Sequence, residues 1–202
     1  MIEKNVSTCL VSVAALVAAS DSVAAQDWSG FYAGLSVNSN SGTSPSQPYV
    51  YDEGYQMGSS AVVGGFAGYR WNASDSIVLG VEVAMQGPIT VNEPESQAGS
   101  VDDYSFEQLI DAKLSLGTPV GKALIYGFAG MSSGTLDAYG SDEYMYNASG
   151  MNYGVGVDYM ISEKFTVGAE YISRNMTGYV SGGNPESQKN ASTISLRASF
   201  KF

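Results

Sequence analysis

The chain has 202 residues, among them 24 glycines, 14 tyrosines, one cysteine and no histidine, and its formal net charge is −11. The lack of histidine argues against Ser-His-Asp hydrolysis, histidine-bound zinc and the commonest haem ligand, and so acidic a chain is a poor binder of nucleic acid. The sequence therefore predicts no catalytic residue, no metal site and no cofactor, and its composition fits either a soluble all-β domain or a transmembrane β-barrel.

The N-terminal residues have the layout of a secretory signal peptide. Lys4 gives a weakly basic start, an apolar run covers residues 9–19, and small residues at 23–25 supply a cleavage position. The run falls short of the ~20 apolar residues that a membrane-spanning helix needs. We therefore predict that residues 1–25 are a cleaved signal peptide, which takes the single cysteine with it, and that residues 26–202 form one exported domain.

Alternation of apolar and polar residues with a period of two, bounded by turn residues, predicts eight β-strands. The third is the clearest, because a row of Ile, Leu, Val and Met alternates with a row that contains Glu82. The fifth is apolar on both faces, with Leu124, Tyr126 and Phe128 as its bulky residues. In chain order the strands cover about 29–38, 61–71, 77–86, 104–116, 122–132, 151–161, 165–176 and 194–202.

The connections between these strands alternate strictly in length. The short ones cover 72–76, 117–121 and 162–164, whereas the long polar ones cover about 39–60, 87–103, 133–150 and 177–190. Short periplasmic turns and long extracellular loops are typical of outer-membrane barrels. A lipocalin-like soluble barrel would not sort its connections in this way.

The residue types on the two faces of the predicted strands also indicate a membrane barrel. One face carries the large apolar residues and the other carries glycine, serine and the in-strand charges, as expected for lipid outside and a polar interior. The topology also collects aromatic residues at both membrane boundaries. The periplasmic set is Phe31, Tyr69, Trp71, Tyr159, Phe165, Phe200 and Phe202, and the outer set is Tyr104, Phe106, Tyr153 and Tyr171. We predict an eight-stranded antiparallel up-and-down transmembrane β-barrel.

Several stretches of the chain resemble a known family. DWSGFYAGLSV, GGFAGYRW, LGVEVA, LIYGFAGM, NYGVGVDYMISEKFTVGAEY and the closing SFKF are similar to the outer-membrane β-barrel family, the OmpA-like eight-stranded porin-family or surface-antigen proteins of Gram-negative bacteria. The resemblance implies a non-enzymatic structural or surface-interaction role in the cell outer membrane. It implies outer-membrane lipid, lipopolysaccharide, the barrel-assembly machinery and an unidentified surface ligand as partners. It also implies that Phe202 is an assembly signal.

Ten charged residues are predicted to point into the barrel, and their charges sum to zero. They are Arg70, Glu82, Glu107, Asp111, Lys113, Asp158, Glu170, Arg174, Arg197 and Lys201. By depth, Glu170 should lie beside Arg197, and Glu82 near Lys113. An eight-stranded barrel has an interior just wide enough for side chains, so one interpretation is a structural ion-pair network. The alternative is a narrow pathway for ions or small solutes, with room left by Gly30, Gly34, Gly80, Gly154, Gly156 and Gly168.

The predicted long loops carry most of the net negative charge. Their acids are Asp52, Glu53, Glu93, Glu95, Asp102, Asp103, Asp137, Asp142, Glu143 and Glu186, against one base, Lys189. Solvation of the outer surface explains this charge, and binding of Ca²⁺ or Mg²⁺ by loop carboxylates is a second hypothesis. No loop has the spacing of an EF-hand. The loop tyrosines suit either a receptor-binding surface or packing between loops.

Overall fold

The structure is a computed structural model that describes residues 26–44, 55–92, 104–137, 145–180 and 184–202. The predicted signal peptide and the central parts of the four predicted loops lie outside these ranges. The loop carboxylates therefore stay predictions. Within the described ranges, no helix is long and apolar enough to cross a membrane.

Nine β-strands follow one another along the described chain and close into a single barrel. They are β1 Gly30–Ser44, β2 Tyr55–Ser74, β3 Ile77–Gln86, β4 Ile89–Asn92, β5 Tyr104–Val120, β6 Ala123–Asp137, β7 Met145–Met160, β8 Phe165–Val180 and β9 Asn184–Lys201. Strands β3 and β4 both pair with β2 and β5, so they act as one barrel strand interrupted at residues 87–88. Counting β3 and β4 as one, each strand pairs antiparallel with its sequence neighbours, and β1 pairs with both β2 and β9. The eight-stranded barrel predicted from the sequence is confirmed.

The apolar residues that alternate along each strand face outward. Leu35 is 67% exposed, Leu114 67% and Leu196 66%, exposures that would be costly in water and are expected against lipid. On β3 the outward row from Ile77 to Met85 covers nine residues, which at the usual rise and tilt is a band roughly 20–25 Å tall. This height matches the apolar band of an outer-membrane barrel.

Strand β6 departs from the predicted division of faces. Its bulky residues Leu124, Tyr126 and Phe128 are 1%, 6% and 7% exposed and point inward, whereas Gly127 and Ala129 lie on the outer surface. The expectation that the interior holds only small and polar residues is therefore wrong. Large aromatic side chains fill part of the lumen, because glycines on the facing strands leave space for them.

The aromatic residues at the periplasmic end form a belt as predicted. Phe31, Trp71, Tyr159, Phe165, Phe200 and Phe202 are exposed. Ring centroids are 4.7 Å apart for Phe31 and Tyr69, and 5.6 Å apart for Phe200 and Phe202. Tyr153 and Tyr171 are exposed near the outer boundary, whereas the side chains of Tyr104 and Phe106 lie outside the described part of the structure.

The short turns are present, but two of them are tighter than predicted. The chain turns at residues 75–76, 121–122 and 161–164, and most of the segment 117–121 is strand rather than turn. Pro119 is tolerated there because β5 pairs with β3 only up to Gly117, so the missing N–H of Pro119 faces no β3 partner. Gly121 occupies the turn with φ +58°, a conformation that glycine adopts without strain.

The outer ends of the strands run beyond the apolar band and into the predicted loops. On four adjacent barrel strands, the regular pairing breaks at the same height. These breaks are a bulge at Asn38–Asn40 against β2, Ala61 with φ 61°, the gap at 87–88, and Glu107 as the extra residue of a bulge against β6. The bulge in β5 shifts the alternation of its side chains, so that Gln108 is exposed and Leu109 is buried.

Candidate functional site

The candidate site is the ion-paired interior of the barrel, where eight of the ten predicted inward charges are buried. These eight are Arg70, Glu82, Asp111, Lys113, Asp158, Glu170, Arg174 and Arg197. Lys201 lies instead at the periplasmic rim. The side chain of Glu107 lies outside the described part of the structure. The buried charges form three layers, called here lower, middle and upper from the periplasmic end outward.

The lower layer is one ion pair enclosed by aromatic rings. Arg70 Nη2 lies 2.5 Å from Asp158 Oδ2. The Arg70 guanidinium also lies 4.5 Å from the ring centroid of Tyr32, 5.4 Å from Tyr126 and 5.7 Å from Trp28, within the range of cation–π attraction. Trp28 precedes β1 and is only 3% exposed. The N-terminal segment thus closes the periplasmic end of the lumen with an indole ring.

The middle layer is a closed ring of four ion pairs. Lys113 Nζ lies 3.1 Å from Glu82 Oε1 and 2.5 Å from Glu170 Oε1, and Arg197 bonds to the other oxygen, Oε2, of both glutamates. The ring therefore contains the two expected pairs, Glu170–Arg197 and Glu82–Lys113, and joins them to each other. Two charges of each sign alternate around it, so each buried charge has two partners of opposite sign.

Two tyrosines complete the coordination of the glutamates. The Tyr32 hydroxyl donates to Glu82 Oε2 at 2.9 Å, and the Tyr126 hydroxyl donates to Glu170 Oε2 at 3.2 Å. The cations are covered by rings as well, with Lys113 Nζ 4.9 Å from the Phe128 centroid and Arg197 Cζ 3.9 Å from that of Phe66. Satisfied lone pairs and close partners offset the desolvation of buried charges. The sequence-based prediction of an ion-pair network did not include these aromatic partners. Their position in the alternation, on the inward face, was the signal that could have identified them.

The upper layer is a hydrogen-bond network built on a bidentate ion pair. Arg174 donates from Nε and Nη2 to the two oxygens of Asp111 at 2.8 and 2.6 Å, and from Nη1 to Thr193 at 2.6 Å. Further bonds extend the network around the wall. They join Ser132 to Asp111, Asn152 to Ser132, Thr193 to Asn40 and Gln86 to Asn40. This layer connects seven of the eight barrel strands.

The inward glycines accommodate side chains from neighbouring strands. A Cβ at Gly34 would lie 2.5 Å from the Phe66 ring, and a Cβ at Gly154 would clash with the Phe128 ring. Both would also meet a backbone carbonyl oxygen of an adjacent strand, and Cβ atoms at Gly156 and Gly168 would clash with neighbouring side chains. The space that the channel interpretation assigned to these four glycines is therefore occupied. A cavity beside the middle and upper layers has a volume of about 20 Å³, room for about one water molecule.

The layers have a pseudo-two-fold relation that the sequence reading missed. Counting β3–β4 as one, the fifth to eighth barrel strands repeat the first four. Tyr32 corresponds to Tyr126, Glu82 to Glu170 and Lys113 to Arg197, and the two members of the Arg70–Asp158 pair occupy equivalent positions with opposite charges. The signal in the sequence was the repeat of Gly-x-Glu in LGVEV at 79–83 and VGAEY at 167–171. The four charges of the middle layer are thus two copies of one strand pair.

The equivalent hairpins fill the same space from opposite strands. In the β1–β2 hairpin the glycine is on the first strand, Gly34, and the ring comes from the second, Phe66. In the β6–β7 hairpin the ring comes from the first strand, Phe128, and the glycine, Gly154, is on the second. Both arrangements place one phenyl ring beside a cation of the middle layer. The two hairpins therefore supply an equivalent ring and an equivalent glycine in opposite order.

Lys201, predicted to point into the lumen, binds the N-terminal segment at the rim. Its Nζ donates to the backbone carbonyl of Asp27 at 2.6 Å and lies 3.9 Å from the Asp27 carboxylate. The backbone N–H of Ser29 donates to Asp27 Oδ1 at 2.9 Å, which lowers the pKa of Asp27 below its usual value. Asn72 donates to the same oxygen at 3.2 Å. These contacts fix the segment that carries Trp28.

An apolar outer wall, a closed barrel and neutral charge layers define an integral outer-membrane β-barrel protein, located in the cell outer membrane. Comparison with known proteins supports this class, since residues 8–202 match the family described as outer membrane protein beta-barrel domain. The chain belongs to this family.

Relatives and solved structures agree with this assignment. The 31 kDa outer-membrane immunogenic proteins of Brucella melitensis and Brucella suis are 25% identical, over 87% of this chain and 84% of each relative. Neisserial surface protein A has a TM-score of 0.59 at 18% identity, over 86% of this chain and 98% of its own. Ail of Yersinia pestis has a TM-score of 0.51 at 14% identity, over 88% and 99%. These structures show the same fold.

We predict that Arg197→Ala lowers the unfolding free energy by about 3–5 kcal/mol, because two buried glutamates then share Lys113 alone. Adding Glu170→Ala should cost little more, since the layer becomes neutral again. Urea unfolding in lipid vesicles measures the coupling through a double-mutant cycle. The control adds Glu163→Ala, at an exposed turn, to Arg197→Ala and should give additive losses. Additive losses for Arg197 and Glu170 would contradict the closed ring.

We also predict that Gly154 is needed even when the ring beside it is absent. Phe128→Gly alone should cost about 3–5 kcal/mol for the lost ring. Adding Gly154→Ala should destabilise the barrel further, because its Cβ would still clash with the backbone carbonyl oxygen of Tyr171. Urea unfolding in lipid vesicles measures both losses. Gly127→Ala is the control, since a Cβ there would meet no atom closer than 3.8 Å. A double variant as stable as Phe128→Gly would show that only the ring requires the glycine.

Proposed function

We propose that the protein is a non-conducting, non-enzymatic outer-membrane barrel with a structural and surface-interaction role. In this role the barrel anchors extracellular strand extensions and loops to the membrane. The single observation that carries the proposal is the middle layer, in which Lys113 and Arg197 bridge Glu82 and Glu170 across the lumen. Because the interior is filled by the barrel's own side chains, we place the interactions with other molecules on the outer surface.

The rest of the lumen supports a closed barrel. Beyond the upper layer, the inward residues Ile89, Leu109, Ala148 and Met176 are at most 2% exposed. At the periplasmic end, Trp28 packs with Val78, Leu124 and Met160 in a buried apolar cluster. A permeating ion would cross apolar layers at both ends and would have to separate buried ion pairs between them, at a cost of several kcal/mol for each unpaired charge.

The buried carboxylates also support a role without catalysis. Glu82, Asp111, Asp158 and Glu170 each accept from at least one buried cation, so none is free to act as a general acid or base. The chain contains no histidine. The outer-membrane relatives from Brucella are named immunogenic, and we extend exposure at the cell surface to this chain. Lipopolysaccharide and the barrel-assembly machinery are the partners that we propose.

The channel alternative predicts conductance, and we expect none. Folded protein inserted into a planar lipid bilayer should give no discrete conductance steps, because ion pairs bridge the lumen and the cavity beside them has room for about one water molecule. A porin recorded in the same membrane provides the positive control, and gel migration before heating verifies that the inserted protein is folded. Reproducible single-channel steps from the folded protein would overturn the non-conducting assignment.

We propose that Phe202 is an assembly signal, and its effect on insertion can be measured separately from its effect on stability. Phe202 is 77% exposed, and its ring contacts Phe200, so Phe202→Ala should change the urea midpoint of the folded barrel little. The same change should slow insertion by purified assembly machinery several-fold. Phe31→Ala, which removes another exposed ring of the periplasmic belt, is the matched control and should insert at the normal rate. Equal insertion rates for all three proteins would refute the signal.

A further inference from the structure

The outward face changes sharply from apolar to polar at the outer edge of the lipid-facing band. On five consecutive strands, from β6 through β9 to β1, the outward-facing residue that follows the last large apolar one is a serine. These residues are Ser133, Ser149, Ser173, Ser192 and Ser39. They follow Met131, Met151, Tyr171, Ile194 and Val37, all exposed on the band. The same residue type at the same height on five strands marks a boundary with one chemical environment.

The next outward residue on each of these strands is polar and uncharged as well. They are Thr135, Asn147, Asn175, Asn190 and Ser41. Together the two rows form what is here called the polar collar. Its members pair across strands, as in the neighbours Ser173 and Ser192, or Asn175 and Asn190. With strands about 4.8 Å apart, the collar presents a hydroxyl or amide at short, regular intervals.

Lys189 is next to the collar residue Asn190 in β9 and pairs with Met176, whereas the cations whose side chains the structure describes lie away from the collar. Arg70, Lys113, Arg174 and Arg197 are inside the barrel. Lys122 and Lys164 lie in periplasmic turns, and Lys201 is at the periplasmic rim. Lipid phosphates are recognised mainly by Lys and Arg. The ten described collar positions carry neither, so their chemistry suits uncharged donors and acceptors such as sugar hydroxyls.

The boundary also carries two exposed aromatic rings. Tyr171 is 45% exposed, and its hydroxyl donates to the collar residue Ser192 at 3.2 Å. Tyr153 is 58% exposed and pairs with Ser173 on the adjacent strand. Tyrosine is favoured at the headgroup level of a membrane because it has an apolar ring and a polar tip. The two rings therefore place the collar directly above them at the level of the lipid headgroups.

We propose that the polar collar binds the sugar hydroxyls of the glycolipid headgroups in the outer leaflet. Hydroxyl and amide side chains exchange hydrogen bonds with sugar hydroxyls, directly or through water. The binding is not ionic, so it does not need a divalent cation. This inference rests on the proposed surface role and names the chemistry by which the barrel wall meets its lipopolysaccharide partner.

The test uses the full folded barrel in phosphatidylethanolamine–phosphatidylglycerol vesicles with and without rough lipopolysaccharide. The readout is the melting temperature, taken from loss of the folded band on gels. Lipopolysaccharide should raise the melting temperature of the wild-type protein, and high salt or EDTA should leave that increase intact. Replacing the five serines of the first collar row with alanine should remove about half of the increase or more, while the melting temperature without lipopolysaccharide stays the same.

The control variant Ser74→Ala with Ser76→Ala removes two exposed hydroxyls at the periplasmic end and should keep the full increase. If the five-fold variant does not fold, Ser173→Ala with Ser192→Ala tests the same wall and should lose part of the increase. An increase abolished by EDTA or high salt would assign the contact to phosphate and overturn the proposal, as would an increase that the serine variants retain. Conductance in planar bilayers reports separately on the closed lumen.

Discussion

The whole interior depends on the way in which Glu82 and Glu170 are held between Lys113 and Arg197. Isolated, each of these charges would cost several kcal/mol to bury. As a closed ring with alternating signs, they neutralise one another, and Tyr32 and Tyr126 donate to the remaining lone pairs. The ring also bears on the facing glycines, because the aromatic residues that cover the cations and donate to the glutamates occupy space that a Cβ would take, together with backbone of the adjacent strands. The charge arrangement and the inward glycines are therefore linked.

A lumen filled in this way ties the barrel strands to one another through their inward side chains. The seven strands joined by the upper layer are fixed relative to one another just below the point where they leave the lipid. The pairing between β6 and β7 continues to Asp137 and Met145, beyond the polar collar. The extracellular part thus begins on an ordered rim.

Much of the fold follows from local rules that are visible in the sequence. The strand positions came from the alternation, because a lipid-facing wall forces an apolar residue at every second position. The strand ends at the outer side were placed too early, because polar residues that continue a ladder above the membrane look like loop residues. Lys201 pairs with the inward residue Tyr32, but at the end of β9 its side chain reaches Asp27 at the rim and joins none of the described charge layers. The sequence did not show which face of β6 points inward, because both of its faces are apolar. Only the glycines on neighbouring strands show that the face with the aromatic rings is the inner one.

The pseudo-two-fold relation explains why the charges resist assignment from single strands. The buried charges of each half sum to zero, yet four of the six described interior ion pairs join one half to the other: Arg70–Asp158, Lys113–Glu170, Arg174–Asp111 and Arg197–Glu82. These four pairs need both halves at their final distance, which the pairing of β1 with β9 and of β5 with β6 sets. A half-closed barrel would leave the charges facing a gap, in water or lipid. Closure and ion pairing must therefore be completed together, and this couples the eight strands into one cooperative unit.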